Sequence, residues 1–220
     1  MNPPSKFVRQ AISWLITLLI PYLLIMTSVR LILTPVFLQI EYRTPNFPAD
    51  SYGFTLQDRL HYSGYLINYL VNNAGINYLG DLKFPDGSPL FKPSELSHMV
   101  DVKNLVQATL KIWVIGLALL LLFGLWAWRG GWLADFRLGL RRGGWLSVGL
   151  IAAILLAVAL NFRLLFTDFH RIFFIGNSWI FLYSDTLIRL LPLRFFQDCF
   201  IDAGVLTLAG GLSLGLAVKK

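Results

Sequence analysis

"AISWLITLLIPYLLIMTSV", residues 11–29, runs for nineteen residues without a charge. As an α-helix rising 1.5 Å per residue it covers ~30 Å, the thickness of a bilayer's hydrocarbon core, and Pro21 predicts a kink within it. The run is too long for the core of a signal peptide, and no small-x-small cleavage site follows it before Arg30, so it reads as a span. Three further runs follow. Residues 112–128 are bracketed by Lys111 and Arg129, and residues 143–162 by Arg142 and Arg163, cations that can snorkel to the interfaces. The last, residues 203–218, is shorter and rich in glycine, which predicts close packing against neighbouring helices. With their flanks, the spans fall at about residues 11–33, 109–128, 143–164 and 200–218 of one integral membrane domain covering 1–220.

Composition agrees. Of 220 residues, 56% are hydrophobic and 14% charged, against roughly 25% charged in soluble domains. The net charge of +7 could suggest nucleic acid, but its distribution assigns it to membrane orientation. Lys6, Arg9, Arg129, Arg137, Arg141, Arg142, Lys219 and Lys220, less Asp135, carry all of the +7, and the other side sums to zero. By the positive-inside rule both termini and the loop at about 129–142 are cytoplasmic, so segments of about 34–108 and 165–199 face outward. The single cysteine, Cys199, excludes an internal disulfide framework and a Cys-cluster metal site. The expected fold is therefore all-α: four transmembrane helices, an extracytoplasmic helical cap between spans 1 and 2, and a shorter aromatic outer segment between spans 3 and 4. Nothing in the pattern specifies an oligomeric state.

The first outer segment has its own order. Thr55 and Asp58 are spaced as a capping box, and Leu56, Leu60, Ile67 and Leu70 recur at helical spacing, predicting an amphipathic helix that ends near Gly75. "FPDGSP" is a turn cluster. Pro93 and Ser94 then open a helix carrying Glu95, His98 and Asp101, which continues toward the second span. The second outer segment alternates aromatics with isolated polar residues, and Trp179 and Tyr183 suit an interfacial belt.

Polar groups beside a bilayer are costly unless paired or functional. His98, Glu95, Asp101 and His170 all fall in the outward segments. One chemistry for such a set is a metal centre, since "ELSH" has the Glu-x-x-His spacing, although no third and fourth ligands are evident. The other is general acid–base catalysis, with a carboxylate orienting a histidine. Ser97 adjoins His98, but adjacent helix positions point to different faces. His61 suits headgroups or solvent, and Arg43, Arg59 and Arg171 suit phospholipid or oxyanion contacts.

The blocks "ELSHMVDVKNL" (95–105), "FHRIFFIGNSWIF" (169–181) and "SDTLIRLLP" (184–192), with Tyr42, Arg43 and "FTLQDRL" (54–60), resemble the Lit-type lipoprotein intramolecular transacylases, a family of bacterial four-span membrane proteins. The resemblance covers residues 34–196 and rests chiefly on the two histidine blocks. It implies an O-to-N acyltransferase of the bacterial plasma membrane, with its active site at the extracytoplasmic face. Such an enzyme moves the sn-2 acyl chain of a diacylglyceryl-cysteine to the α-amine of that cysteine, leaving an N-acylated lyso-form lipoprotein. Its partners are a diacylated lipoprotein and membrane phospholipid, with no nucleic acid, and it needs neither a cofactor nor a metal. His98 and His170 match the family's catalytic histidines. His98 is expected as general base, oriented by Glu95 or Asp101, and His170 as acid or oxyanion partner, with the two roles exchangeable. Arg43, Arg59, Arg171 and Trp179 are the expected substrate contacts. Two rivals are a metal-dependent membrane hydrolase and a non-catalytic lipid- or lipoprotein-binding protein.

Overall fold

The structure, a computed structural model, describes residues 3–176 and 178–218. Lys219 and Lys220, which enter the charge reading, lie outside the described residues. Among the described residues eight helices follow in order: α1 (Lys6–Ile32), α2 (Pro35–Glu41), α3 (Leu56–Val71), α4 (Asn77–Gly80), α5 (Pro93–Arg129), α6 (Leu133–Phe173), α7 (Thr186–Leu190) and α8 (Leu193–Ala217). Four of them, α1, α5, α6 and α8, are long and apolar enough to cross a membrane. The only extended pairing among the described residues is an isolated bridge between Lys83 and Pro89, closing the turn that "FPDGSP" forms.

The chain divides into two compact units. The first comprises Met1–Arg30, Thr109–Ala159 and Ile201–Lys220, the apolar parts of the long helices. Its core gathers Ile16, Ile20, Ala127, Trp132 and Phe136. With no solvent to drive helices together in lipid, association needs close van der Waals contact, which small residues permit. A Cβ on Gly144 of α6 would lie 2.6 Å from the carbonyl oxygen of Gly211 on α8, so the two backbones touch there. Buried Ser28 and Thr207 add a hydroxyl pair at 2.9 Å.

The second unit comprises Leu31–Ala108 and Leu160–Phe200 and holds every residue of the histidine site. Helix α3 starts with the reciprocal capping box of Thr55 and Asp58 and stops at Val71, earlier than Gly75, because Asn72 takes an extended backbone conformation as C-cap. Lys103 of α5 closes that end: its Nζ donates to the Ala74 carbonyl and to the Asn72 side chain, over the Tyr69 ring. Leu66, Tyr69, Leu79, Leu90, Met99 and Leu190 are among the residues forming the main core. A part-buried ion pair joins Asp50 to Arg189 of α7 at 3.0 Å. Burial alone would raise the Asp50 carboxyl, but hydrogen bonds from Arg189 and the Phe54 amide outweigh it and hold the group below the ordinary value.

Candidate functional site

The site begins where α5 begins. Pro93 stands in the first helical turn, where a missing N–H costs nothing. Glu95 folds back so that Oε2 accepts the Lys92 amide at 2.8 Å, while Oε1 accepts the Leu187 amide of α7 at 2.7 Å. The carboxylate is 1% exposed and spends both oxygens on backbone. Burial raises its pKa against the pull of those two amides. Lys92 pairs with Asp185, whose carboxylate also accepts the Leu182 amide, and Thr186 Oγ1 donates to the Leu90 carbonyl at 2.6 Å. The start of α5 is thus fastened to the turn that carries the aromatic segment.

His98 lies one turn further along α5, well before the apolar part of that helix, and is 8% exposed. His170 lies in the last turn of α6, also 8% exposed. It is aimed by a break in α6 at Asn161, whose backbone is non-helical and whose Oδ1 accepts the Leu164 amide at 3.1 Å, as an N-cap does. The two imidazoles face each other with centroids 6.1 Å apart and planes inclined by 27°. Phe174 touches both, at 4.9 Å from His98 and 5.4 Å from His170. Phe181 flanks His98 at 5.5 Å, and Phe166 and Trp179 flank His170 at 4.1 and 4.9 Å.

This aromatic box fixes the charge state. Burial, followed by the neighbouring His170, lowers His98 from 6.5 to about 4. Burial lowers His170 as well, but its Nδ1 lies 2.7 Å from the Phe166 carbonyl, which favours the protonated ring and opposes the shift. A carbonyl can only accept, so Nδ1 carries the hydrogen and Nε2 of the neutral ring is left as a base. The helix C-terminus adds negative potential that favours a proton there. Among the described residues the His98 Nδ1 is buried without a hydrogen-bond partner. Near neutrality the site holds two uncharged imidazoles, one built to take up a proton and the other poor at it.

The other expected site residues separate. Among the described residues Glu95 makes no hydrogen bond to His98; its two oxygens accept the Lys92 and Leu187 amides instead. Asp101 is exposed and lines a cleft of about 280 Å³ with Asn104, Leu105, Phe173, Phe174 and Ile175. Trp179 joins the histidines, with its Nε1 donating to the Gly176 carbonyl. Arg59 is buried under the Tyr42 and Phe47 rings and donates to the Pro48 carbonyl. Arg43 is exposed and bonded to Gln39 of α2, and Arg171 is exposed beside Asp168. None of the three arginines contacts the imidazoles among the described residues. His61 is exposed against Tyr62 and Tyr65. Among the described residues no three His, Cys, Asp or Glu side chains converge to hold a metal ion. Sequence reasoning did not single out Phe166, Phe174 and Phe181; their density is visible in the sequence, but it equally fits a belt in the interface.

The family model described as "Lipoprotein intramolecular transacylase Lit" matches residues 14–196. An uncharacterized protein of Aquifex aeolicus is 26% identical over 223 residues, covering 97% of each chain. The in meso structure of the membrane integral lipoprotein intramolecular transacylase Lit from Bacillus cereus is similar in fold, with a TM-score of 0.81 at 21% identity over 96% of this chain and 94% of that one. A variant of that protein with one histidine replaced by arginine gives 0.70 at 20% identity over 96% and 92%.

Proposed function

Because this chain belongs to the Lit family of lipoprotein intramolecular transacylases, we propose that it moves the sn-2 acyl chain of a diacylglyceryl-cysteine lipoprotein to the α-amine of the same cysteine. The observation that carries this reading is the pair of neutral, stacked histidines in a box of aromatic rings. The α-ammonium, with a pKa of ~7.7, must lose a proton before it can attack. That first proton is released to water, and His170 Nε2 then takes a second proton from the attacking nitrogen as the C–N bond forms at the ester carbonyl. His98 donates an N–H to the oxygen on which negative charge collects. The roles are thereby exchanged relative to the expectation of His98 as base, since among the described residues His170, unlike His98, has a carbonyl to stabilise its imidazolium. When the tetrahedral species collapses, the bond from carbon to the sn-2 oxygen breaks and His170 returns its proton to that oxygen. The products are an amide on the cysteine and a free hydroxyl on the glycerol.

Amine and ester belong to one molecule, so no covalent enzyme intermediate is needed and near-attack placement supplies much of the rate. The aromatic walls exclude the water that would otherwise hydrolyse the ester. The charge distribution supports a site on the extracytoplasmic face, with both termini in the cytoplasm. The test is mass spectrometry of a lipoprotein's N-terminal lipopeptide, from a bacterium that leaves the α-amine free and expresses this protein. The expected result is an unchanged acyl count with one chain moved to the amine, lost in His98→Ala and His170→Ala. A lipopeptide still diacylated on glycerol, with the protein present in the membrane, would defeat the proposal in favour of lipid binding alone.

A further inference from the structure

We infer that the cleft beside the histidine pair binds the α-amino end of the lipoprotein's cysteine, with Asp101 as counter-charge and Asn104 as a neutral hydrogen-bond partner. The inference rests on the transacylase reading and adds a substrate subsite to it. Phe174 makes the connection: its ring touches both imidazoles and also forms a wall of the cleft. Polar groups come from α5 through Asp101 and Asn104, and apolar ones from Phe173 at the end of α6 and Ile175 just beyond it. Asp101 stands three residues after His98 on the same helix, a spacing that puts the two side chains on one face.

Charge gives the cleft its ligand. The arriving substrate carries an ammonium, and the box around the histidines supplies aromatic faces and uncharged imidazoles but no anion. A cation moved there without a counter-ion is disfavoured by the loss of its hydration. The nearby acids are already engaged: Glu95 on two backbone amides, Asp185 on Lys92, and Asp168 on Arg171. Asp101 forms no ion pair among the described residues, and the residue is exposed. At about 280 Å³ the cleft lies at the small end of ligand sites, fitting one residue's amino end rather than acyl chains.

The experiment compares two synthetic diacylglyceryl lipopeptides, one with the free α-amine and one with hydrogen in its place. Binding is measured to the full chain in detergent, carrying His98→Ala so that nothing turns over. The free-amine lipopeptide is expected to bind about three- to fivefold tighter, as an accessible ion pair allows. Adding Asp101→Asn is expected to abolish the preference without changing affinity for the des-amino compound, and Asp101→Glu to retain it. In the otherwise native enzyme Asp101→Asn is expected to raise KM for the free-amine lipopeptide. Equal affinities with Asp101 intact, or a preference that survives Asp101→Asn, would overturn the subsite. Conversion of the free-amine lipopeptide by the native enzyme is scored separately, so a wrong subsite and a wrong reaction give different results.

Discussion

Replacing Glu95 by glutamine removes one charge and no volume, and the structure gives a definite cost. Its two oxygens accept a buried amide of Leu187 at 2.7 Å and a part-buried amide of Lys92 at 2.8 Å, and the side chain is 1% exposed. A glutamine can offer its carbonyl oxygen to one amide but must turn an NH2 toward the other, leaving a buried donor without an acceptor. Each such loss costs roughly 1–3 kcal/mol, and the surviving bond weakens because it is no longer charge-assisted, for a total of about 2–4 kcal/mol. That is a large share of the ~5–15 kcal/mol that holds a domain folded. The assay is denaturant unfolding of the purified protein in detergent, for wild type, Glu95→Gln and Asp101→Asn. The exposed Asp101 serves as control and should change stability by less than about 0.5 kcal/mol. A Glu95→Gln protein as stable as the control would refute the claim that this carboxylate fastens α5 to α7.

Other substitutions read other parts of the account. His98 titrates at about 4 when folded and near 6.5 when unfolded, so the unfolded chain binds the proton first as pH falls. Stability from this group is therefore present above pH 6.5 and lost toward pH 4, by about 3 kcal/mol at pH 4, and His98→Leu should flatten that part of the unfolding profile. Arg189→Met takes the charged partner from part-buried Asp50, which keeps its two backbone amides, and should cost about 1–3 kcal/mol in the same unfolding assay. Gly144→Leu drives a side chain into the backbone of α8 and should destabilise by at least the ~1–3 kcal/mol typical of overpacking, read as a lowered midpoint. Phe174→Ala opens the wall between the cleft and the imidazoles, and should divert part of the acyl chain to free fatty acid, measured beside the transferred product.

The spans were legible because hydrocarbon imposes a length and a composition, and the Thr55–Asp58 cap because its chemistry is local. The helix from Pro93 was equally readable, and it runs unbroken to Arg129. Glu95 was not, because its partner Leu187 lies ninety-two positions away, and a carboxylate three residues from a histidine looks like an orienting group until its oxygens are seen on backbone amides. The hydrogen bond that distinguishes the histidines runs from His170 to a main-chain carbonyl, an acceptor that every residue possesses. The aromatic box shares its composition with an interfacial belt, and only the ring distances separate the two.

The central claim is tested most directly by the fate of one acyl chain. Purified protein is given a diacylated lipopeptide with an isotope-labelled sn-2 chain, mixed with an excess of an unlabelled lipopeptide of different peptide mass. The account predicts that the label moves to the amine of the peptide that brought it, and that His170→Ala abolishes the transfer. Label on the other peptide, acyl groups drawn from phospholipid, or transfer that survives His170→Ala would contradict it.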